Sequence, residues 1–171
     1  MKSILYSLLI MAFGLLGSAC GAQKPPKGHL IYCSYSCAGT AGLGKDYCEL
    51  IADKDSTPKV VVALRLGNRF GDPEIRAEYP VSQAVVDSLQ AGLTERKVYK
   101  LAGYHLEEPI TGGYAHRIYQ EYDSGEKHNA YWYGSHVKDE VWSAYYYIES
   151  FFAPWRTQAL QDNPAPAETS E

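Results

Sequence analysis

The chain predicts an α+β domain, an antiparallel sheet of about six strands with two helices packed on one face, and three observations carry that prediction. Apolar and aromatic runs of strand length alternate with turn signals through the first half. Two stripes of apolar residues at helical spacing follow, one in the middle of the chain and one near its end. A hairpin signal separates them, so the order reads four strands, a helix, two strands and a helix.

Leu30 to Ser36 and Asp46 to Asp53 are the first two runs, and Ala38-Gly39-Thr40-Ala41-Gly42-Leu43-Gly44 between them suits a flexible hairpin loop. After the turn residues Asp55-Ser56-Thr57-Pro58 comes Lys59 to Leu66, with Val60, Val61, Val62 and Leu64. Gly67 to Pro73 turns the chain into Glu74 to Tyr79, where Ile75, Ala77 and Tyr79 alternate with Glu74, Arg76 and Glu78. Period two with charge on one face marks a half-solvated antiparallel strand. Val81, Val85, Leu89 and Leu93 then recur every four residues and Val86 widens the stripe, which predicts a helix capped by Ser82 and ending near Arg96. Tyr114 to Tyr122 and His128 to Tyr133 flank Asp123-Ser124-Gly125-Glu126-Lys127, a second hairpin. Val141, Tyr145, Ile148 and Phe152 form the last stripe, with Trp142 and Phe151 beside it. Asp139 and Glu140 lie at its positive end, and Pro154 is expected to stop it.

The chain opens with Met1-Lys2-Ser3, an apolar stretch from Ile4 to Leu16, and Gly17-Ser18-Ala19-Cys20. That stretch is shorter than the about 20 residues a permanent membrane helix needs, and Lys2 precedes it as an export signal requires. The segment resembles the type II signal peptide of bacterial lipoproteins, in which a cysteine after small residues is acylated and becomes the new N-terminus. Ser18 and Ala19 match the small positions, and Gly17 stands where a leucine is usual. The resemblance implies lipidation at Cys20, loss of residues 1–19 and a lipid-anchored domain on the outer side of a membrane in the cell envelope. Gly21 lacks the aspartate that holds some lipoproteins at the inner membrane, which favours the outer one. Ordinary cleavage after Ala19 or Ala22, with release, is the alternative.

Removing 19 of 171 residues leaves 152, enough for one domain with one core. Gly21 to Gly28 reads as an extended tether that follows the lipidated cysteine, residues 29–157 as the domain, and residues 158–171 as a tail of disordered composition. The loss of Lys2 takes the formal charge from −4 to −5, and the basic residues are dispersed, which argues against nucleic acid as a partner. The mature part also resembles a group of small uncharacterised bacterial lipoproteins, through the tether, Ser34-Tyr35-Ser36 in the first strand and Lys97-Val98-Tyr99-Lys100-Leu101 after the middle helix. That likeness implies fold and location and brings no catalytic residues with it. Cys33, Cys37 and Cys48 lie outside its pattern.

With Cys20 taken by the lipid, those three thiols are left, and an exported protein tends to pair its cysteines. If the first two strands form a hairpin, Cys48 lies opposite a position near Cys33 or Cys37, so Cys37 with Cys48 is the first expected disulfide and Cys33 with Cys48 the second. The remaining thiol is expected to be buried, and no fourth ligand at diagnostic spacing supports a metal site. His116, His128 and His136 invite a three-histidine metal centre, but a hairpin closed at Ser124-Gly125 puts His128 opposite Glu121 or Tyr122 and His116 near the far end. The same separation weakens Cys37 or Ser135 as a nucleophile with a histidine base. Glu107-Glu108 are neighbours on a loop and are expected to point apart. Gly39, Gly42 and Gly44 lead into a strand rather than a helix, so they do not form a phosphate loop.

Fifteen tyrosines and three tryptophans exceed the needs of a small core. Tyr131-Trp132-Tyr133 and Tyr145-Tyr146-Tyr147 cannot all point inward, so some rings face solvent. Tyr131, Trp132 and Tyr133 are therefore the expected binding surface for a protein, peptide or glycan, and no cofactor is expected. The sequence thus favours a lipid-anchored binding module without catalysis of its own. A small periplasmic hydrolase using His116, His128 and Glu121 is the alternative.

Overall fold

The computed structural model describes residues 23–39, 45–65, 74–109 and 112–164. Residues 1–22, with Cys20 and the segment read as a signal, and residues 40–44, 66–73, 110–111 and 165–171 lie outside the described residues. The strands are β1 (Leu30–Gly39), β2 (Lys45–Ile51), β3 (Lys59–Arg65), β4 (Glu74–Pro80), β5 (His105–Glu107), β6 (Tyr114–Tyr122) and β7 (Lys127–Tyr133). The helices are α1 (Gln83–Glu95) and α2 (Asp139–Asp162), and a 3-10 turn occupies Val98–Leu101. The α+β class stands, with seven strands in the order β4-β3-β2-β1-β6-β7-β5. Six come from the expected runs. The seventh, β5, is three residues long and pairs parallel to β7, whereas every other neighbour is antiparallel. Three residues cannot show a period of two, so β5 is formed by the free edge of β7.

Alternation along the strands divides the sheet into two unlike faces. Cys33 and Tyr35 of β1, Cys48 and Leu50 of β2, Val60 and Val62 of β3, Ile118 of β6 and Trp132 of β7 share one buried cluster with Leu89 and Leu93 of α1 and Val141, Ile148 and Phe152 of α2. Both helices therefore cover the same face. Ser82 occupies the N-cap position of α1 but its side chain makes no capping bond.

Pro154 does not end α2, which runs on to Asp162. The ring removes one backbone hydrogen bond, and packing of the following turns outweighs that loss. Ala159 is fully buried, Trp155 packs against the core, and the Tyr79 hydroxyl donates to Asp162 Oδ2 at 3.0 Å. Arg156 pairs with Asp46 on β2 and, at 3.4 Å, with Glu149 two turns back on the same helical face. The domain boundary thus moves from 157 to about 162.

The segment read as a spacer is docked from residue 23 onward. The Gln23 side-chain amide donates to the Ala102 carbonyl at 3.1 Å, the Lys27 N–H to Glu126 Oε2 at 2.7 Å and the His29 N–H to Asp123 Oδ1 at 2.9 Å. Gln90 of α1 clips it from the other side, donating to the Gly28 carbonyl at 2.9 Å and accepting from the Leu30 N–H at 2.8 Å. Gly28 sits at φ +87°, and a Cβ there would fall 2.1 Å from Asp123 Oδ1, so both conformation and space call for glycine.

Candidate functional site

The face that the helices leave uncovered carries the tyrosines that the core does not use. The register sets Ser34 between Glu49 on β2 and Tyr119 on β6, and Ser36 between Tyr47 and Arg117. Tyr32 lies two residues along the same face, opposite Glu121. Together these strands line a groove of about 400 Å³: Tyr32, Ser34 and Ser36 form its floor, Tyr47 one wall, and Arg117, Tyr119 and Glu121 the other.

A buried carboxylate holds one wall. Glu49 is 8 % exposed, and its Oε2 accepts from the Tyr32 hydroxyl at 2.6 Å and from the Tyr47 hydroxyl. The two hydroxyls are also 2.6 Å apart, so three polar groups lock each other. Burial, and then the bond to Glu49, raise Tyr32 above its ordinary value, and burial raises Tyr47 in the same way. Both therefore remain neutral donors over the whole physiological range. The Tyr32 and Tyr119 rings meet edge to face at 5.7 Å, while Tyr119 donates to Glu121 at 3.2 Å and Lys127 pairs with Glu121 at 3.1 Å. Arg117 donates to Asn129 Oδ1 at 3.0 Å. The result is a groove of fixed rings and hydroxyls, with one guanidinium and one carboxylate along the β6 wall.

Of the three residues expected to form a binding surface, Tyr131 and Tyr133 do lie on this face, half-buried, with Tyr131 stacked on His105 at 5.2 Å. Trp132 does not. It is fully buried on the opposite face, stacked on His116 at 5.2 Å and edge-on to Trp142 and Tyr145, because strand alternation sends the middle of three residues inward. Tyr32, Tyr47 and Tyr119 were missed because they lie apart in sequence, on three strands. Their signal was the alternation Tyr32-x-Ser34-x-Ser36 and Tyr47-x-Glu49, polar positions interleaved with core ones.

The cysteine expectations need correction at the level of register. Cys48 lies opposite Tyr35, Cys33 opposite Leu50 and Cys37 opposite Asp46. All three are free thiols. Cys48 is diagonal to both others, and diagonal positions sit about 7–8 Å apart, beyond ordinary disulfide reach. The Cys48 thiol instead donates to Tyr35 at 3.7 Å. Burial pushes the Cys33 and Cys48 thiols up to about 12 and raises Cys37 as well, so none is a thiolate at neutral pH.

The hydrolase residues are not assembled. His116 and His128 project to the core face and Glu121 to the open face. His128 lies opposite Gln120, not Glu121 or Tyr122, and His116 opposite Trp132. His136 is elsewhere, its Nδ1 2.8 Å from Glu108 Oε1. Glu108 also accepts from the Ser135 N–H at 2.6 Å while Glu107 turns to His105, so the two carboxylates part as expected. One juxtaposition was not foreseen: Cys37 lies directly opposite His116 across β1 and β6. It brings no activated pair, because burial raises the thiol and lowers the imidazole to about 4, leaving both neutral. Among the described residues no group of three or more His, Cys, Asp or Glu is placed to hold a metal, and no helix is long and apolar enough to cross a membrane.

No family model matches the chain, and no curated protein matches it.

Proposed function

We propose that the protein is a lipid-anchored module of the cell envelope that binds a glycan in the tyrosine-lined groove of its open sheet face and performs no chemistry on it. The observation that carries this reading is the set of Tyr32, Tyr47 and Tyr119 held around Ser34 and Ser36. Ring faces with adjacent hydroxyls suit a chain that alternates C–H faces and hydroxyl edges, and Arg117 and Glu121, along the same wall, leave the groove lining without a dominant charge. A protein partner would call for an apolar centre. The most exposed large hydrophobics among the described residues are Tyr114 on β6 and Tyr146 and Leu160, separated by about 21 Å along α2, and they supply none. The lipid anchor rests on the Cys20 segment, and an acyl chain on that residue would hold the groove near envelope glycans.

Calorimetric titration with chitotetraose, as a neutral amino-sugar probe, and with a panel of acidic oligosaccharides tests the groove. Binding by at least one glycan is expected, weakened about tenfold by Tyr119→Ala with the melting temperature unchanged. Silence across the panel, or binding indifferent to Tyr119→Ala, would overturn the glycan reading.

A further inference from the structure

We infer that the 3-10 turn after α1, together with the end of α1 and the docked N-terminal segment, is the surface that rests on a membrane, and that it recognises anionic phospholipid headgroups. The inference rests on the lipid-anchored reading for its geometry. Gln23 is fastened to Ala102, the residue that follows Leu101 of the turn. Cys20 is three residues before Gln23, and three residues span at most about 11 Å. An acylated Cys20 therefore brings this part of the surface, and no distant one, to the bilayer.

The surface reached in this way is basic, although the chain as a whole is acidic. Arg96, Lys97 and Lys100 are exposed around a hollow of about 310 Å³ whose floor is Val98, Leu101 and Ala144. Lys24 and Lys27 of the docked segment are also exposed. The acidic groups nearby are Glu140, on the rim of the hollow, with Asp139 before it in the same turn, Glu95, 3.2 Å from Arg96, Glu126, which accepts from the Lys27 N–H, and Asp123, which accepts from the His29 N–H and pairs with Lys54 at 3.3 Å. The hollow itself is lined by three cations, Arg96, Lys97 and Lys100, and one anion, Glu140, in a chain of net charge −4. Arg96 is also held in place, its guanidinium 4.1 Å above the Tyr147 ring.

Lys97 supplies a second, independent observation. It is the only described non-glycine residue with positive φ, at 56°, in the left-handed region where glycine would sit without strain. The left-handed residue terminates α1, and with lysine at that position a cation stands at the exit of the helix, beside Arg96 and Lys100.

The test uses the full chain, extracted from membranes and reconstituted into vesicles of phosphatidylcholine alone or with phosphatidylglycerol. Amine acetylation read by mass spectrometry gives the reactivity of each lysine. Lys97 and Lys100 are expected to be protected about fivefold on the anionic vesicles, with the protection reversed by high salt, while Lys59 on β3, four strands away from β7, stays reactive. Uniform reactivity, or equal protection on neutral vesicles, overturns the inference. The intact mass of the same sample reports the acyl group separately. If Cys20 is unmodified, the anchor reading fails, and the same comparison with excess added vesicles still decides whether this surface binds anionic lipid. Lys97→Gly, which relieves the backbone, should fold at least as stably and lose part of the salt-sensitive protection at Lys100.

Discussion

Glu49 shows how one residue sets the character of a face. A carboxylate that is 8 % exposed keeps two tyrosine hydroxyls satisfied and their rings fixed along the groove. Glu49→Ala is expected to cost about 2–3 kcal/mol in urea unfolding, because it strands two half-buried hydroxyls, and a loss below about 0.5 kcal/mol would show that water replaces the carboxylate freely. His116 acts in the opposite sense. It lies among Trp132, Trp142 and Tyr145, opposite Cys37, and its Nδ1 has no hydrogen-bond partner. Burial lowers it to about 4, so the unfolded chain takes up its proton first, near pH 6.5. The stability it permits is complete above about pH 6.5 and is lost as the pH falls towards 4, a total of about 3 kcal/mol. His128, lowered by burial as well, adds to the same slope. Denaturant midpoints at pH 7 and 4.5 check this: His116→Phe should remove most of the loss, and an unchanged slope would assign it to other groups.

Helix α1 carries a constraint that its own sequence does not advertise. Glycine inside a helix normally gains about 1 kcal/mol on replacement by alanine. Gly92 is buried, however, and a Cβ there would lie 1.7 Å from the Tyr147 hydroxyl and 2.4 Å from the ring carbon that bears it. Gly92→Ala is therefore expected to lower stability by about 1–3 kcal/mol and to disturb the stack of Arg96 on Tyr147. A gain in melting temperature would mean that Tyr147 swings aside without penalty. The elements themselves were largely legible. Alternation in Glu74 to Tyr79 and the stripes of Val81-Val85-Leu89-Leu93 and Val141-Tyr145-Ile148-Phe152 mark the right elements, although Val81 precedes α1 and Val86, which only widened the first stripe, is buried there in place of Val85. The end of α2 was not legible, since Pro154 is a local stop signal and what overrides it, the burial of Ala159 and the bond from Tyr79, lies about 80 residues away in sequence.

Across the whole molecule, the groove and the basic turn are separate surfaces. The groove faces away from both helices, while the turn lies beside the end of α1 and the start of α2; on the proposed anchoring, the open sheet face would stay clear of the bilayer. Local patterning was enough for the class of fold, the two hairpins and the two helical stripes, because apolar periodicity is a property that each element displays alone. It also supplied the Cys20 segment on which the anchor proposal rests. That Trp132 is core, that Cys48 faces Tyr35, and that Tyr32 meets both Tyr47 and Tyr119 emerged with the assembled sheet. Those outcomes depend on strand order and register, which are fixed by the packing of the whole sheet against its helices, and no single strand carries that information.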